Sequence, residues 1–168
     1  LRWPGRSAIT KSPPGKDLLF GLISDTHGLF RPEALDFLAG CDYLVHGGDI
    51  GNAAILARLA QIAPLTTVRG NNDRDPWARG LPVSAALEAG GVTLYAIHDL
   101  KELDIDPAAL GVRVVVSGHS HKPSCSERDG VLYINPGSAG RRRFSLPISA
   151  AELIIEDGSI RPRIVTLV

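Results

Sequence analysis

"DLLFGLISDTH", residues 17–27, decides how the chain folds. Leu18–Ile23 is an almost unbroken apolar run, strand-like in length, with Gly21 as its one interruption. A strand with one wet face alternates apolar and polar side chains. A continuous run of this length between turn signals reads instead as a strand buried on both faces. It then stops in four polar residues, Ser24, Asp25, Thr26 and His27. Why a buried strand should end so abruptly in polar groups is answered by the rest of the chain, which repeats the pattern.

Downstream, "RPEALDFLAG" (31–40) reads as a helix, with Pro32 near its start and Gly40 as its stop. "DYLVH" (42–46) is strand-like, and "NAAILARLAQIA" (52–63) is an amphipathic helix with Asn52 as N-cap and Pro64 beyond its end. "LTTV" (65–68) is a strand and "NNDRDPWARGLP" (71–82) a loop by composition. "VSAALEAGGVTLYAIH" (83–98) reads as a hairpin turning at Gly90 and Gly91, "DPAALG" (106–111) as a short helix, and "VRVVVSG" (112–118) as a strand. From 122 onward strands dominate, with Asp157-Gly158 as a hairpin signal. Early alternation of strand and helix implies parallel strands covered by helices, and the late hairpins imply a mixed or second sheet packed against the first.

The residues that follow the early strands share a chemistry. They are Asp25 and His27, Asp49, Asn71, His98, and His119 and His121. The intervals between groups leave room for a crossover connection each, since parallel strands need a dozen or more residues between them. Ligand sites in open α/β sheets lie outside the carboxyl ends of the strands. Two carboxylates, four imidazoles and a carboxamide are thereby delivered to one rim. The chain has five histidines; the fifth, His46, stands three residues before Asp49 and reads as a core or supporting residue.

Histidine with aspartate and asparagine, and no cysteine, is a donor set for transition metals. Seven donors exceed one tetrahedral site and fit two ions sharing a bridge. Asp49 is the natural bridge, because a carboxylate has the lone pairs and charge to link two cations. Two divalent ions, less two aspartates and a bridging hydroxide, leave positive charge that attracts a phosphate ester. Paired ions about 3.5–4 Å apart acidify a water and clamp phosphoryl oxygens. Taken singly, Asp25 or His98 reads more readily as a cap or a core residue, and "GGD" or "GNND" as a turn; their order and placement at strand ends carry the reading.

The composition sets bounds. At 168 residues, 44% hydrophobic and formal net charge +0, the chain suits one globular domain with a sizeable core and no global field for nucleic acid or anionic membrane. No apolar run approaches the roughly 20 residues of a membrane span. Residues 1–17 read as a flexible tail without the apolar segment of a secretory signal, leaving residues 18–168 as the domain. Two cysteines, Cys41 and Cys125, make no framework and suit a reducing, cytoplasmic setting.

In sequence, "DTH" (25–27), "GGD" (47–49), "GNND" (70–73), His98 and "GHSH" (118–121) resemble the signature of the calcineurin-like metallophosphoesterase superfamily, and "NPGS" (135–138) its small single-domain prokaryotic phosphodiesterases. The resemblance covers residues 18–168. It implies a four-layer αββα sandwich, two mixed β-sheets face to face with helices outside. It assigns Asp25, His27, Asp49 and His121 to one metal, and Asp49, Asn71, His98 and His119 to the other. The ions would be manganese first, or iron, zinc, cobalt or nickel. Asp49, Asn71, Asn72 and His119 form the catalytic set. Where many members carry a histidine that protonates the leaving group, this chain has Asn72, which has no useful acid pKa. Positioned general acids contribute about 10²–10⁴-fold, so slow turnover of poor leaving groups is expected.

Three further readings stay open. "NPGS" is either a structural turn or a substrate contact, and Trp77 either packs its loop or stacks on a base. In "GRRRFS" (140–145), Arg142 and Arg143 either face solvent or join Asn72 in touching substrate. The expected activity is dinuclear-metal hydrolysis of small phosphodiesters, nucleotide-derived ones among them, without membrane or stable duplex binding and with room for a homodimer. The rivals are a protein-interaction scaffold similar to the retromer subunit of this fold, and a phosphomonoesterase or nuclease.

Overall fold

The computed structural model describes residues 17–168. Apart from Asp17, the segment read as a tail lies outside the described residues. The first sheet joins β1 (Leu18–Ile23), β2 (Tyr43–His46), β3 (Leu65–Thr67), β9 (Ser149–Glu156) and β10 (Ser159–Thr166) in the order β10-β9-β1-β2-β3. The second joins β4 (Ser84–Ala89), β5 (Val92–Ile97), β6 (Val112–Val116), β7 (Ser124–Arg128) and β8 (Val131–Asn135) in the order β4-β5-β6-β8-β7. Each sheet is mixed. β1, β2 and β3 run parallel in one, β5, β6 and β8 in the other, and antiparallel strands flank both sets.

The apolar run of β1 is explained by what lies on either side of it. Leu18, Phe20 and Leu22 point between the sheets, where they meet Leu94, Val114, Val116 and Ile134. Ile23 points outward into a second cluster with Leu38, Ile55 and Leu59, from α1 (Pro32–Leu38) and α2 (Ala53–Ile62). Period-2 alternation therefore sends both sets of β1 side chains into apolar surroundings. Gly21 belongs to the outward set. A Cβ there would lie 2.5 Å from Leu38 Cδ2 and 2.9 Å from Cys41 Sγ, so its bareness lets α1 close onto the sheet. Asn52 caps α2 as expected, accepting from the Ile55 N–H at 3.2 Å.

The outer layer on the second sheet departs from the sequence reading. Residues 106–111 form turns instead of a helix. The Leu110 N–H divides between the Asp106 and Pro107 carbonyls, both at 3.2 Å, and Gly111 ends the segment at φ 76. One turn fixes many dihedrals for few hydrogen bonds, and its apolar side chains secure it instead. Leu110, with Leu100, Leu103 and Ile105 from the preceding segment, packs on Tyr95 and Val115. The interval from Asn71 to His98 is also not a crossover. β3 ends in the first sheet, and the chain changes sheets before the β4–β5 hairpin.

The hairpins at Gly90-Gly91 and Asp157-Gly158 form as expected. A third turns at Asp129 (φ 53) and Gly130 (φ 75) between β7 and β8. Trp77 packs against the helix-side core, the structural one of its two roles. Cys41 and Cys125 are free. Among the described residues no helix is long and apolar enough to cross a membrane.

Candidate metal centre

The carboxyl ends of β1, β2, β3, β5 and β6 converge, so the rim is built from both sheets. Its backbone is unusual. Eight non-glycine residues among those described have positive φ, and five of them are sequence-predicted ligands: Asp25 (55°), His27 (44°), Asp49 (55°), His119 (71°) and His121 (60°). The left-handed region costs an L-residue roughly 1–2 kcal/mol, and strain of this kind gathers at functional sites.

All seven predicted ligands are brought together. Asp25, His27 and His121 place donor atoms within 4.8 Å of one another, as do Asp25, Asp49 and His98. Asp25 Oδ1 lies 3.3 Å from His121 Nε2 and 3.7 Å from His27 Nε2, and those two nitrogens are 3.2 Å apart. On the other side, Asn71 Oδ1 lies 3.0 Å from His98 Nε2 and 3.1 Å from His119 Nδ1. Asp49 Oδ2 stands between the groups, 3.6 Å from His27 Nε2 and 3.4 Å from His98 Nε2.

Surrounding residues fix these positions. The His98 Nδ1–H donates to the Gly47 carbonyl at 2.7 Å, which turns Nε2 toward the centre. His119 presents Nδ1 to Asn71, while its Nε2 lies 3.8 Å from Asp99 Oδ2. Ser24 Oγ donates to Asp25 Oδ2 at 2.7 Å. His46 is fully buried and ties two turns together: Nδ1 accepts from the Gly48 N–H at 3.1 Å, so the proton sits on Nε2, 3.0 Å from Thr26 Oγ1. Thr26 in turn donates to the Ile50 carbonyl at 2.8 Å.

Asp73, which reads from the sequence as a loop organiser without chemistry of its own, organises two turns at once. Its carboxylate accepts N–H groups from Ile50 (2.9 Å), Gly51 (3.3 Å) and Gly70 (2.9 Å), clamping the turns that carry Asp49 and Asn71. Asn72 lies on the bridge candidate itself. Its backbone N–H donates to Asp49 Oδ1 and its carboxamide to Asp49 Oδ2, both at 2.9 Å.

"NPGS" is a brace. Asn135 Nδ2 donates to the Gly118 carbonyl at 2.9 Å and Ser138 Oγ to the Asp25 carbonyl at 3.0 Å, which joins the end of β6 to the end of β1. Gly137 has φ 78, and a Cβ on it would collide with Ser149 Oγ, so both conformation and space call for glycine.

Charge is tightly coupled across the cluster. Burial opposes ionisation of Asp25, but contacts from His121, His27 and Ser24 and the charge of His98 outweigh it and hold the carboxyl far below the usual range. Asp49 is lowered in the same way, against its burial, by His98 and the Asn72 N–H. Burial pushes His98 down, yet Asp49, Asp25 and the Gly47 carbonyl push it up to about 9. His46, with burial dominant, falls to about 4.

These residues fit divalent cations. Asp25 Oδ1 is buried with no hydrogen-bond partner and faces two imidazole nitrogens. Two ionised carboxylates and four imidazoles with one carboxamide suit manganese, iron, zinc, cobalt or nickel. The centre opens into a cavity of about 360 Å³ lined by His27, His121, Arg141, Arg142 and Arg143. A smaller one, about 160 Å³, adjoins Asn71, His98, Asp99 and Arg69.

Two mixed sheets face to face, with nitrogen and oxygen donors gathered where their parallel strands end, make up the class that the ordered motifs resemble. Residues 18–158 match the sequence model of the calcineurin-like phosphoesterase superfamily domain, and the chain belongs to that superfamily. It is 33% identical over 156 residues to a probable metallophosphoesterase of Methanocaldococcus jannaschii, covering 85% of this chain and 79% of that protein. Among solved structures it is similar to a predicted phosphoesterase from Streptococcus pneumoniae (TM-score 0.73, 24% identity, 90% of each chain). It is also similar to Vps29 from Entamoeba histolytica complexed with zinc (TM-score 0.63, 22% identity, 90% of this chain and 100% of that one). At these identities the two structures share the fold.

Proposed function

We propose that the protein is a metal-dependent phosphoester hydrolase, and within that class a dinuclear phosphodiesterase acting on small phosphodiesters. The observation that carries this is Asp49 Oδ2, 3.6 Å from His27 Nε2 in one donor group and 3.4 Å from His98 Nε2 in the other. Asp25, His27 and His121 would hold one ion, Asn71, His98 and His119 the other, and Asp49 both. Such a pair supplies an acidified water and neutralises phosphoryl oxygens.

The chain's own residues do the rest. Asp73 and His46 hold the ligand turns in register. Asp99 faces the far nitrogen of His119, and Asn72 holds both oxygens of Asp49. A carboxamide cannot protonate a leaving group, so esters whose leaving group departs without a proton are the favoured substrates. The two free cysteines suit a cytoplasmic enzyme.

A second reading rests on the Vps29 likeness, namely a protein-interaction scaffold. The Entamoeba Vps29 is itself complexed with zinc, so metal binding alone does not separate the two readings. Activity does. Loaded in turn with manganese, iron, zinc, cobalt or nickel, the protein is expected to hydrolyse bis(p-nitrophenyl) phosphate, and His119→Ala to lose that turnover. No turnover above buffer with every ion would leave the scaffold as the better reading.

A further inference from the structure

The loop after β8 carries a feature that the donor cluster does not use. Its base is bolted to the β1 turn: the Ala139 N–H donates to the Ser24 carbonyl at 3.0 Å, and Arg31 Nε donates to the Gly140 carbonyl at 2.8 Å. A Cβ on Gly140 would overlap the Thr26 backbone, so the loop leaves the site along a tightly fixed path. The next five residues, 141–145, are exposed. Arg141, Arg142 and Arg143 nevertheless line one cavity with His27 and His121, and no carboxylate lines it. Among the described residues none of the three pairs with an acid; Arg142 Nη1 reaches only the Leu146 carbonyl at 3.4 Å. The chain is neutral overall, with 18 basic and 18 acidic residues. Three unpaired guanidiniums beside the centre are therefore a local concentration of charge.

A guanidinium's fork matches phosphate oxygens, and bonds between charged partners are the strong ones. A scissile phosphodiester carries a single negative charge, which the donor cluster would address with the ions it is proposed to hold. Three guanidiniums exceed what that group needs. We propose that this cavity binds a second phosphate, carried on one arm of the substrate. The natural substrate class would then be a phosphodiester bearing a further phosphomonoester. The proposal rests on the hydrolase reading for the word substrate, and on the cavity alone for the anion site.

The test uses two esters that differ in one group: thymidine 5′-(p-nitrophenyl phosphate) with and without a 3′-phosphate, on metal-loaded protein. The 3′-phosphate is expected to raise kcat/KM at least about tenfold, mainly through KM. In Arg142→Ala/Arg143→Ala most of that advantage should vanish, and in the double lysine variant part of it should return. Calorimetry on the same loaded protein reads binding without turnover. Thymidine 3′,5′-bisphosphate should bind more tightly than thymidine 5′-phosphate, and the alanine variant should narrow the gap. Hydrolysis of both esters at one rate, or a ratio that the arginine variants leave unmoved, overturns the cavity and keeps the hydrolase. No hydrolysis, with the calorimetric gap present and lost in the variant, overturns the hydrolase and keeps the anion site.

Discussion

His46 shows how much a single side chain contributes here without touching any expected ion. It is fully buried between Thr26 and Gly48 and holds its proton on Nε2. Burial lowers it from 6.5 to about 4. An unfolded chain takes up a second ring proton near 6.5, so between pH 6.5 and 4 the unfolded state binds more protons than the folded one. Stability is full above that window and falls as the pH drops through it. His46→Gln keeps a neutral side chain in the space and should flatten this acid limb. Urea unfolding at steps from pH 7 to pH 4.5 checks it, and an unchanged slope in the variant would count against the assignment.

The sequence marked His46 only as a core or supporting residue and Asp73 only as an organiser of its own loop, without naming their partners. Both act by joining turns that are far apart in the chain, as Asp73 does between Gly70 and Ile50. Which backbone N–H a carboxylate meets depends on how two loops dock, and no local pattern encodes that. The candidate ligands were legible for the opposite reason. Each stands a few residues past the end of a strand, so the strand itself announces where the side chain is delivered.

At the scale of elements, β1 was legible because burial on both faces leaves an unbroken apolar run. The segment 106–111 was not, because "DPAALG" satisfies helix composition at a length where tertiary packing decides the outcome. The change of sheet between β3 and β4 was hidden too, since an interval long enough for a crossover equally accommodates a loop and a hairpin. The contact of α1 with β1 offers a test of the layer packing. Gly21→Ala would push a methyl group into Leu38 Cδ2 and Cys41 Sγ. Overpacking of this kind costs about 1–3 kcal/mol, so the urea midpoint should fall with the denaturant slope unchanged. A midpoint equal to the wild type's would mean that α1 does not sit this close to the sheet.

Across the whole molecule, two sheets meet so that the parallel strands of both end at one rim, and five of the candidate ligands there occupy left-handed backbone. That arrangement makes sense if bound ions draw the donors together, with Asp49 shared between two of them. Metal content read by elemental analysis tests this most directly. Purified from manganese-supplemented medium and desalted, the wild type should hold two divalent ions per chain. Asp49→Asn, which keeps the shape and removes the shared charge, should hold fewer than one. A wild type that never exceeds one ion, or an Asp49→Asn protein that still holds two, would contradict the bridged centre.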